Sequence, residues 1–314
     1  MTRLSTDSIL PLLPVLEAVA DSGQVTAAAD LLGVPQPTIT RALQRAERAL
    51  GVPVHVKDGR GIRLTPAGEA LMPYVREALR AVEAGLSAAG AVAAPVRGRV
   101  RVAFQNILGE DLIPALVQAS RKDHSEVEFA LFQGARAHCM SLLTAGEADF
   151  AFVSPPPTER EKTLNELEVV GLGADELVVV VPANHRLAHR ATVRLAELAG
   201  ESMVVMARGF GMRSAVRGLL DGAGVRTTTA FEGQDIHTLV GLVSAGLGIT
   251  IVPRREYTAN IRMLRIAGSR VERYVVMVAL RDFPASPAVS AFRELVMARG
   301  STIAATTYAA PRTA

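Results

Sequence analysis

Tryptophan is absent from this 314-residue chain, cysteine occurs once, at Cys139, and aromatic residues make up 4%. A single thiol can neither close a disulfide within the chain nor build a thiolate metal cluster, which matches the cysteine usage of a reducing compartment. No run approaches the ~18 apolar residues that a membrane-spanning helix needs. The run from Leu177 to Pro182 has the length of a strand. The stretch from Met1 to Asp7 lacks a basic region followed by an apolar core, so no secretory leader is read there. A cytoplasmic protein with no membrane partner is expected. Hydrophobic residues at 49% and charged residues at 21% exclude a mainly disordered chain.

Catalytic signatures are also missing. There is no Gly-x-Ser-x-Gly elbow, His-Glu-x-x-His helix or phosphate loop, and Gly171-Leu172-Gly173 and Gly246-Leu247-Gly248 lack the third glycine of a dinucleotide fingerprint. His185 and His189 have no third ligand nearby in sequence. No catalytic residues, no cofactor and no metal site are therefore expected. Cys139 reads as a small buried hydrophobe rather than a redox sensor, because no second cysteine could resolve an oxidised thiol.

What is present is a local excess of positive charge. The net charge is only +3, yet from Val34 to Leu64 Arg41, Arg45, Arg48, Lys57, Arg60 and Arg63 face only Glu47 and Asp58. Six minus two leaves +4 in this window and −1 for the rest, the footprint of a nucleic-acid contact.

Residues 1–65 read as short helices and a ribbon. Leu12, Leu13, Leu16, Val19 and Ala20 follow helical spacing up to Asp21-Ser22-Gly23. Thr26 is placed to cap a second helix stopped by Gly33. A third opens near Pro37 and carries Ile39, Ala42, Leu43, Ala46 and Leu50 on one side. The segment Val52 to Leu64 turns at Asp58-Gly59-Arg60-Gly61, as a two-stranded ribbon would.

Thr65-Pro66 then launches a long helix to about Ala91, with Pro73 expected to kink it. Its apolar seam of Leu71, Val75, Ala78, Val82, Leu86 and Ala89 marks residues 66–95 as a linker and dimerisation helix. Over residues 96–300 strands and helices alternate, which predicts parallel α/β sheets in two halves, the second spanning roughly 165–265. Residues 301–314 read as a loose tail.

The stretch from Ala27 to Arg41 (AAADLLGVPQPTITR) resembles the helix-turn-helix of LysR-type transcriptional regulators. So do Leu50 to Val54 (LGVPV) and Gly59 to Gly68 (GRGIRLTPAG). Leu112-Ile113-Pro114, Ala145 to Ala151 (AGEADFA) and Val243 to Pro253 (VSAGLGITIVP) resemble landmarks of that family's effector domain. The likeness spans nearly the whole chain in the family's order. It departs where Leu16 and Val25 replace aromatics, His55 replaces a phenylalanine, Lys57 an arginine, and Ala135 a serine or threonine.

The resemblance implies an α/β fold class: an N-terminal winged helix-turn-helix, a long linker helix, and a two-lobed α/β effector domain of periplasmic-binding-protein type. A recognition helix presents its first residues to base edges. Here these are Gln36, Pro37, Thr38, Thr40 and Arg41, of which Arg41 suits guanine, Gln36 adenine and Thr38 thymine. Arg45 and Arg48 suit phosphates, Lys57, Arg60 and Arg63 form the wing, and Thr26 joins the contact set. In the effector half, ligands bind at the carboxyl ends of strands. Gln105, Asn106, Gln133, Arg136, Ser154, Arg208, Gly209, Gln234 and Asp235 occupy such loops. Arg208 and Arg213, beside Gly209-Phe210-Gly211, suit a carboxylate or phosphate. The implied partners are double-stranded promoter DNA, a small effector (an anion among the candidates), RNA polymerase, and further copies in a homodimer or homotetramer. The rival reading is a two-lobed small-molecule-binding protein or enzyme without specific DNA binding.

Overall fold

A computed structural model of the protein describes residues 6–59, 61–91, 96–257, 259–268, 271–281 and 285–308. They fall into two compact units, one N-terminal and ending with the long helix, the other built from the bulk of the chain beyond it.

The first unit opens with α1 (Thr6–Ile9), a 3-10 turn (Leu10–Leu12) and α2 (Leu13–Ser22). Pro11 and Pro14 sit in the first positions of the turn and of α2, where a missing N–H breaks no helical bond. Then come α3 (Val25–Leu32) and α4 (Gln36–Leu50), closed by Gly33 and Gly51 in the left-handed region. Gln24 precedes α3, so Thr26 lies inside the helix and does not cap it. Leu12, Leu16, Val19, Ala28, Ile39, Leu43 and Ala46 fill the core between these helices.

The ribbon of β1 (His55–Asp58) and β2 (Gly61–Leu64) is antiparallel, with Asp58 opposite Gly61. It is pinned at both ends. The Gly23 carbonyl, at the end of α2, accepts from Ile62 N at 2.8 Å, and a Cβ on Gly61 would lie only 2.8 Å from that oxygen. On the other strand, the Glu47 carboxylate accepts from Val54 N at 3.0 Å and lies 3.0 Å from His55 Nδ1.

Thr65 Oγ1 accepts from Gly68 N at 3.1 Å and so caps α5 (Pro66–Ala91), which runs as one helix through Pro73. The expected dimer seam divides along its length. Met72 and Val75 are buried in this unit's own core, Leu71 and Ala78 pack against it, and Arg76 pairs with Asp21 at 2.6 Å. Leu71 and Val75 are therefore spent within the chain, because three short helices cannot enclose a core without a fourth. Val82 and Leu86 remain exposed, at 60% and 71%.

In the second unit, β3 (Gly98–Gln105), α6 (Leu112–Asp123), β4 (Val127–Gly134), α7 (Arg136–Thr144), β5 (Phe150–Val153) and α8 (Glu159–Leu164) precede the 16-residue strand β6 (Leu167–Pro182). There follow β7 (Thr192–Val193), β8 (Ser202–Met206), α9 (Gly211–Gly222), β9 (Thr228–Gly233), α10 (Ile236–Ser244), β10 (Thr250–Pro253), β11 (Ile261–Ile266), β12 (Glu272–Leu280) and α11 (Pro287–Tyr308). The first lobe's sheet has the order β4-β3-β5-β12-β6. Its β4, β3 and β5 are parallel, while β12 runs antiparallel to both β5 and β6.

The sheets are thus mixed rather than parallel, because β6 and β12 carry the chain between lobes in opposite directions. The first part of β6 pairs with β12, and Leu177 onward pairs with β10 and β11 in the second lobe. Glu272 and Arg273 stand opposite Glu176 and Asp175 where β6 changes lobes.

Strand alternation explains the layers of the first lobe. Val102, Phe104, Phe150 and Phe152 join the core of α6 and α11, where the Phe292 ring lies 5.3 Å from Phe129 and 5.6 Å from Phe150. Ala103, Ala151 and Val153 point the other way, toward Cys139 and Leu143 of α7. Both faces are covered, so these strands read as continuous apolar runs. Helix α11 extends to Tyr308, and the expected loose tail from residue 301 is helical that far. Ala304 is fully buried and Ile303 packs on the same core, which holds the helix down. Residues 309–314 lie outside the described residues.

Candidate functional sites

Helix α4 is divided sharply by its own spacing. Ile39, Ala42, Leu43 and Ala46 are buried, while Gln36, Pro37, Thr38, Thr40, Arg41, Gln44, Arg45 and Arg48 are exposed. The Thr40 hydroxyl donates to Gln36 O at 3.4 Å, and Arg48 Nε donates to Gln44 O at 3.1 Å. Arg41 and Arg45 have no hydrogen-bond or ion-pair partner among the described residues, so their donors are free for an external anion or base edge. Lys57 is exposed on the ribbon, and Arg63 lies 3.7 Å from Asp58. Thr26 is exposed in the first turn of α3. Arg60 lies outside the described residues.

The second unit holds a small pocket, with a cavity of about 20 Å³, between its lobes. It opens where the carboxyl ends of β3 and β8 meet the starts of α9 and α10, the place where doubly wound sheets bind ligands. Gln105 and Asn106 come from the end of β3 and the turn after it. Ile107, Met206, Phe210, Met212 and Ile236 give the pocket an apolar body. Asp235 lines it too, but its carboxylate caps α10 by accepting from Thr238 N at 2.8 Å and Thr238 Oγ1 at 3.0 Å.

Polar bridges close the lobes around this space. Asn106 Nδ2 donates to Gln234 O at 3.2 Å, Glu110 pairs with His237 at 2.9 Å, and Asp111 approaches Arg255 at 3.6 Å. Gly211, at the start of α9, sits against the Ser154 carbonyl so closely that a Cβ there would lie 2.0 Å from it. At the back, the carboxylate of Asp175 is buried between Arg255 at 2.9 Å and Arg273 at 2.6 Å. Tyr257 donates to Pro253 O at 2.7 Å, and burial pushes its phenol above the usual tyrosine range. A larger groove of about 320 Å³ runs along the flank of α9, with Arg213 in it tied to Glu232 at 2.7 Å. That groove is lined by none of the residues that end β3 and β8 or start α10, so the smaller pocket is the better ligand site.

The expected effector residues separate accordingly. Gln105, Asn106 and Asp235 line the pocket, and Gln234 meets it through its carbonyl contact with Asn106. Ser154 lies behind it, its N–H donating to Gln105 Oε1 at 2.6 Å and its buried hydroxyl without a partner among the described residues. Gln133, Arg208 and Gly209 are exposed outside the lining. Arg136 is held by Glu161 at 3.0 and 3.2 Å and by Pro155 O at 2.9 Å. That guanidinium and the hydrogen bonds from Thr158 draw the Glu161 carboxyl down to about 2. The cation of the pocket is therefore Arg273 from β12, which no loop motif announces; its only sequence signal is its register opposite Asp175.

Two family models match the chain. A model for the bacterial regulatory helix-turn-helix protein, lysR family, covers residues 10–69, and one for the LysR substrate binding domain covers residues 93–301. Among curated relatives, the uncharacterized HTH-type transcriptional regulator YybE of Bacillus subtilis (strain 168) is 28% identical, over 92% of this chain and 98% of its own. Among solved structures, full-length CbnR complexed with its target DNA is 26% identical with a TM-score of 0.64, covering 93% of this chain and 99% of that one. The effector binding domain of QuiR in complex with shikimate is 27% identical with a TM-score of 0.60, covering 66% and 98%.

Proposed function

Because the chain belongs to the LysR family of bacterial transcriptional regulators, we propose that α4 enters the major groove of promoter DNA and that a small molecule in the inter-lobe pocket modulates this binding. The observation that carries the first half is the face of α4. Arg41 and Arg45 stand exposed, without partners among the described residues, on the same helix as exposed Gln36 and Thr38, the residue types that read guanine, adenine and thymine edges. Lys57 and Arg63 of the ribbon supply backbone contacts beside it. The DNA-bound state of CbnR supports this docking.

For the second half, the pocket has the strand-end position and mixed apolar and polar lining of a small-ligand site, and QuiR holds shikimate in its own effector domain. An effector changes DNA affinity only through its different affinity for two arrangements of the protein. Exposed Val82 and Leu86 on α5 are the residues through which two copies pair. The bound dimer or tetramer then acts on RNA polymerase at the promoter, in the cytoplasm.

The test is selection of sheared genomic DNA by purified protein, with Arg41→Ala alongside. Discrete sites sharing an interrupted palindrome are expected, with preference relaxed by about 1–3 kcal/mol at one base pair per half-site in the variant. Recovery without sequence preference, unchanged by the substitution, would refute the groove assignment.

A further inference from the structure

Arg273 begins β12 at the point where the chain returns from the second lobe, directly opposite Asp175. Its side chain is only 4% exposed, and Nη2 lies 2.6 Å from Asp175 Oδ2. The other oxygen of Asp175 is taken by Arg255 at 2.9 Å, so one buried acid serves two guanidinium groups. Arg255 has a further acid in Asp111 at 3.6 Å. Arg273 has no such second partner: its Nε is buried without a hydrogen bond among the described residues, and the residue lines the pocket. A buried charged donor left unpaired is costly, and native structures keep one where something else is meant to satisfy it.

Nothing in the pocket wall meets that need. Glu110 is engaged by His237 at 2.9 Å, and Asp235 is engaged by the first turn of α10. Building on the reading of this pocket as the effector site, we infer that its ligand is a compact monocarboxylate with an apolar body. The carboxylate sits on Arg273, and the body lies among Ile107, Met206, Phe210 and Ile236, whose side chains must give way to admit it because the cavity is only about 20 Å³. A ligand with two or more negative charges does not fit, since it would meet one cation with a single open edge and two wall carboxylates. Arg273 is thus the residue that selects charge.

The experiment is calorimetric titration of the full-length protein with cyclohexanecarboxylate, 4-methylpentanoate and phenylacetate, each beside its primary amide, at millimolar concentration. At least one acid is expected to bind at least about tenfold tighter than its amide. Arg273→Gln should lower that affinity roughly 10- to 100-fold, the worth of a hydrogen bond to a charged group. Should that variant fail to fold, Arg273→Lys decides. It keeps a charge beside Asp175 but lacks the planar fork, and about a tenfold loss is expected. Phe210→Ala, elsewhere in the pocket lining, should weaken acids as well.

Equal binding of acids to wild type and Arg273→Lys would overturn the anchor. In that case a loss in Phe210→Ala would leave the pocket standing as the effector site, and no loss there would remove the pocket too. Amides binding as tightly as acids, or no acid binding at all, would overturn the carboxylate class.

Discussion

Gly211→Ala tests whether the two lobes of the second unit close as tightly as the structure shows. The added Cβ would lie 2.0 Å from the Ser154 carbonyl oxygen and 2.8 Å from Pro155 Cδ. Real Cβ contacts do not fall below 3.0 Å, so α9 and the Ser154-Pro155 turn must part by about 1 Å. Neither obstacle is the free end of a flexible side chain, and the backbone itself has to move. Overpacking of this kind costs about 1–3 kcal/mol. At roughly 2–4 °C per kcal/mol for a unit of this size, melting should fall by about 2–12 °C.

The same separation stretches the Asn106–Gln234 bond, now 3.2 Å, and the Glu110–His237 pair, now 2.9 Å, so ligand affinity should fall as well. Gly218 is the internal control. It lies exposed in the same helix with open space where its Cβ would go, and Gly218→Ala should stabilise by roughly 0.5–1 kcal/mol. Melting followed by circular dichroism compares the three proteins, and ligand affinity is read by calorimetry because the chain has no tryptophan to report it. If Gly211→Ala melts at or above wild type, as Gly218→Ala should, the close contact between α9 and Ser154 is wrong.

Leu86→Asp places a charge on the exposed part of α5. Light scattering should then give the mass of a single chain while circular dichroism stays unchanged, and an unaltered mass would remove Leu86 from the interface. Glu161 titrates at about 2 instead of the ordinary 4.5, chiefly through its hydrogen bonds with Arg136. A carboxyl depressed on folding stabilises above its unfolded pKa and loses that contribution as pH falls toward the folded one. The melting temperatures of wild type and Glu161→Gln should therefore differ above pH 4.5 and converge toward pH 2; a gap independent of pH would contradict the pairing. Cys139 is fully buried and its thiol is pushed up to about 12 by that burial. Mass spectrometry should find no alkylation by iodoacetamide at pH 8 in the folded protein and complete reaction in urea, and labelling of the native state would show the thiol to be accessible.

Much of the fold is local and could be read along the chain. The apolar positions of α4, the stops at Gly23 and Gly33, the turn at Gly59 and the Thr65 cap each depend on residues within a few positions of one another. The same holds for β5, whose four buried residues form an apolar run bounded by polar or turn-forming neighbours. The face of α4 was legible for that reason, since helical spacing alone separates Ile39, Ala42, Leu43 and Ala46 from Arg41 and Arg45.

Where two distant segments meet, the sequence carries no such signal. The burial of Val75 and the exposure of Leu86 follow from where the three-helix core ends, although both residues belong to one helical seam. The first part of β6 holds Gly171, Gly173, Asp175 and Glu176, which do not read as a strand until β12 lies beside them. Arg273 and Asp175 are 98 residues apart, and only sheet register brings one acid between two arginines at the back of the pocket. Helix periodicity and capping act over one or two turns and are written in adjacent residues. The placement of a buried charge depends on what surrounds it in space, and that is decided when the chain crosses between the lobes and returns.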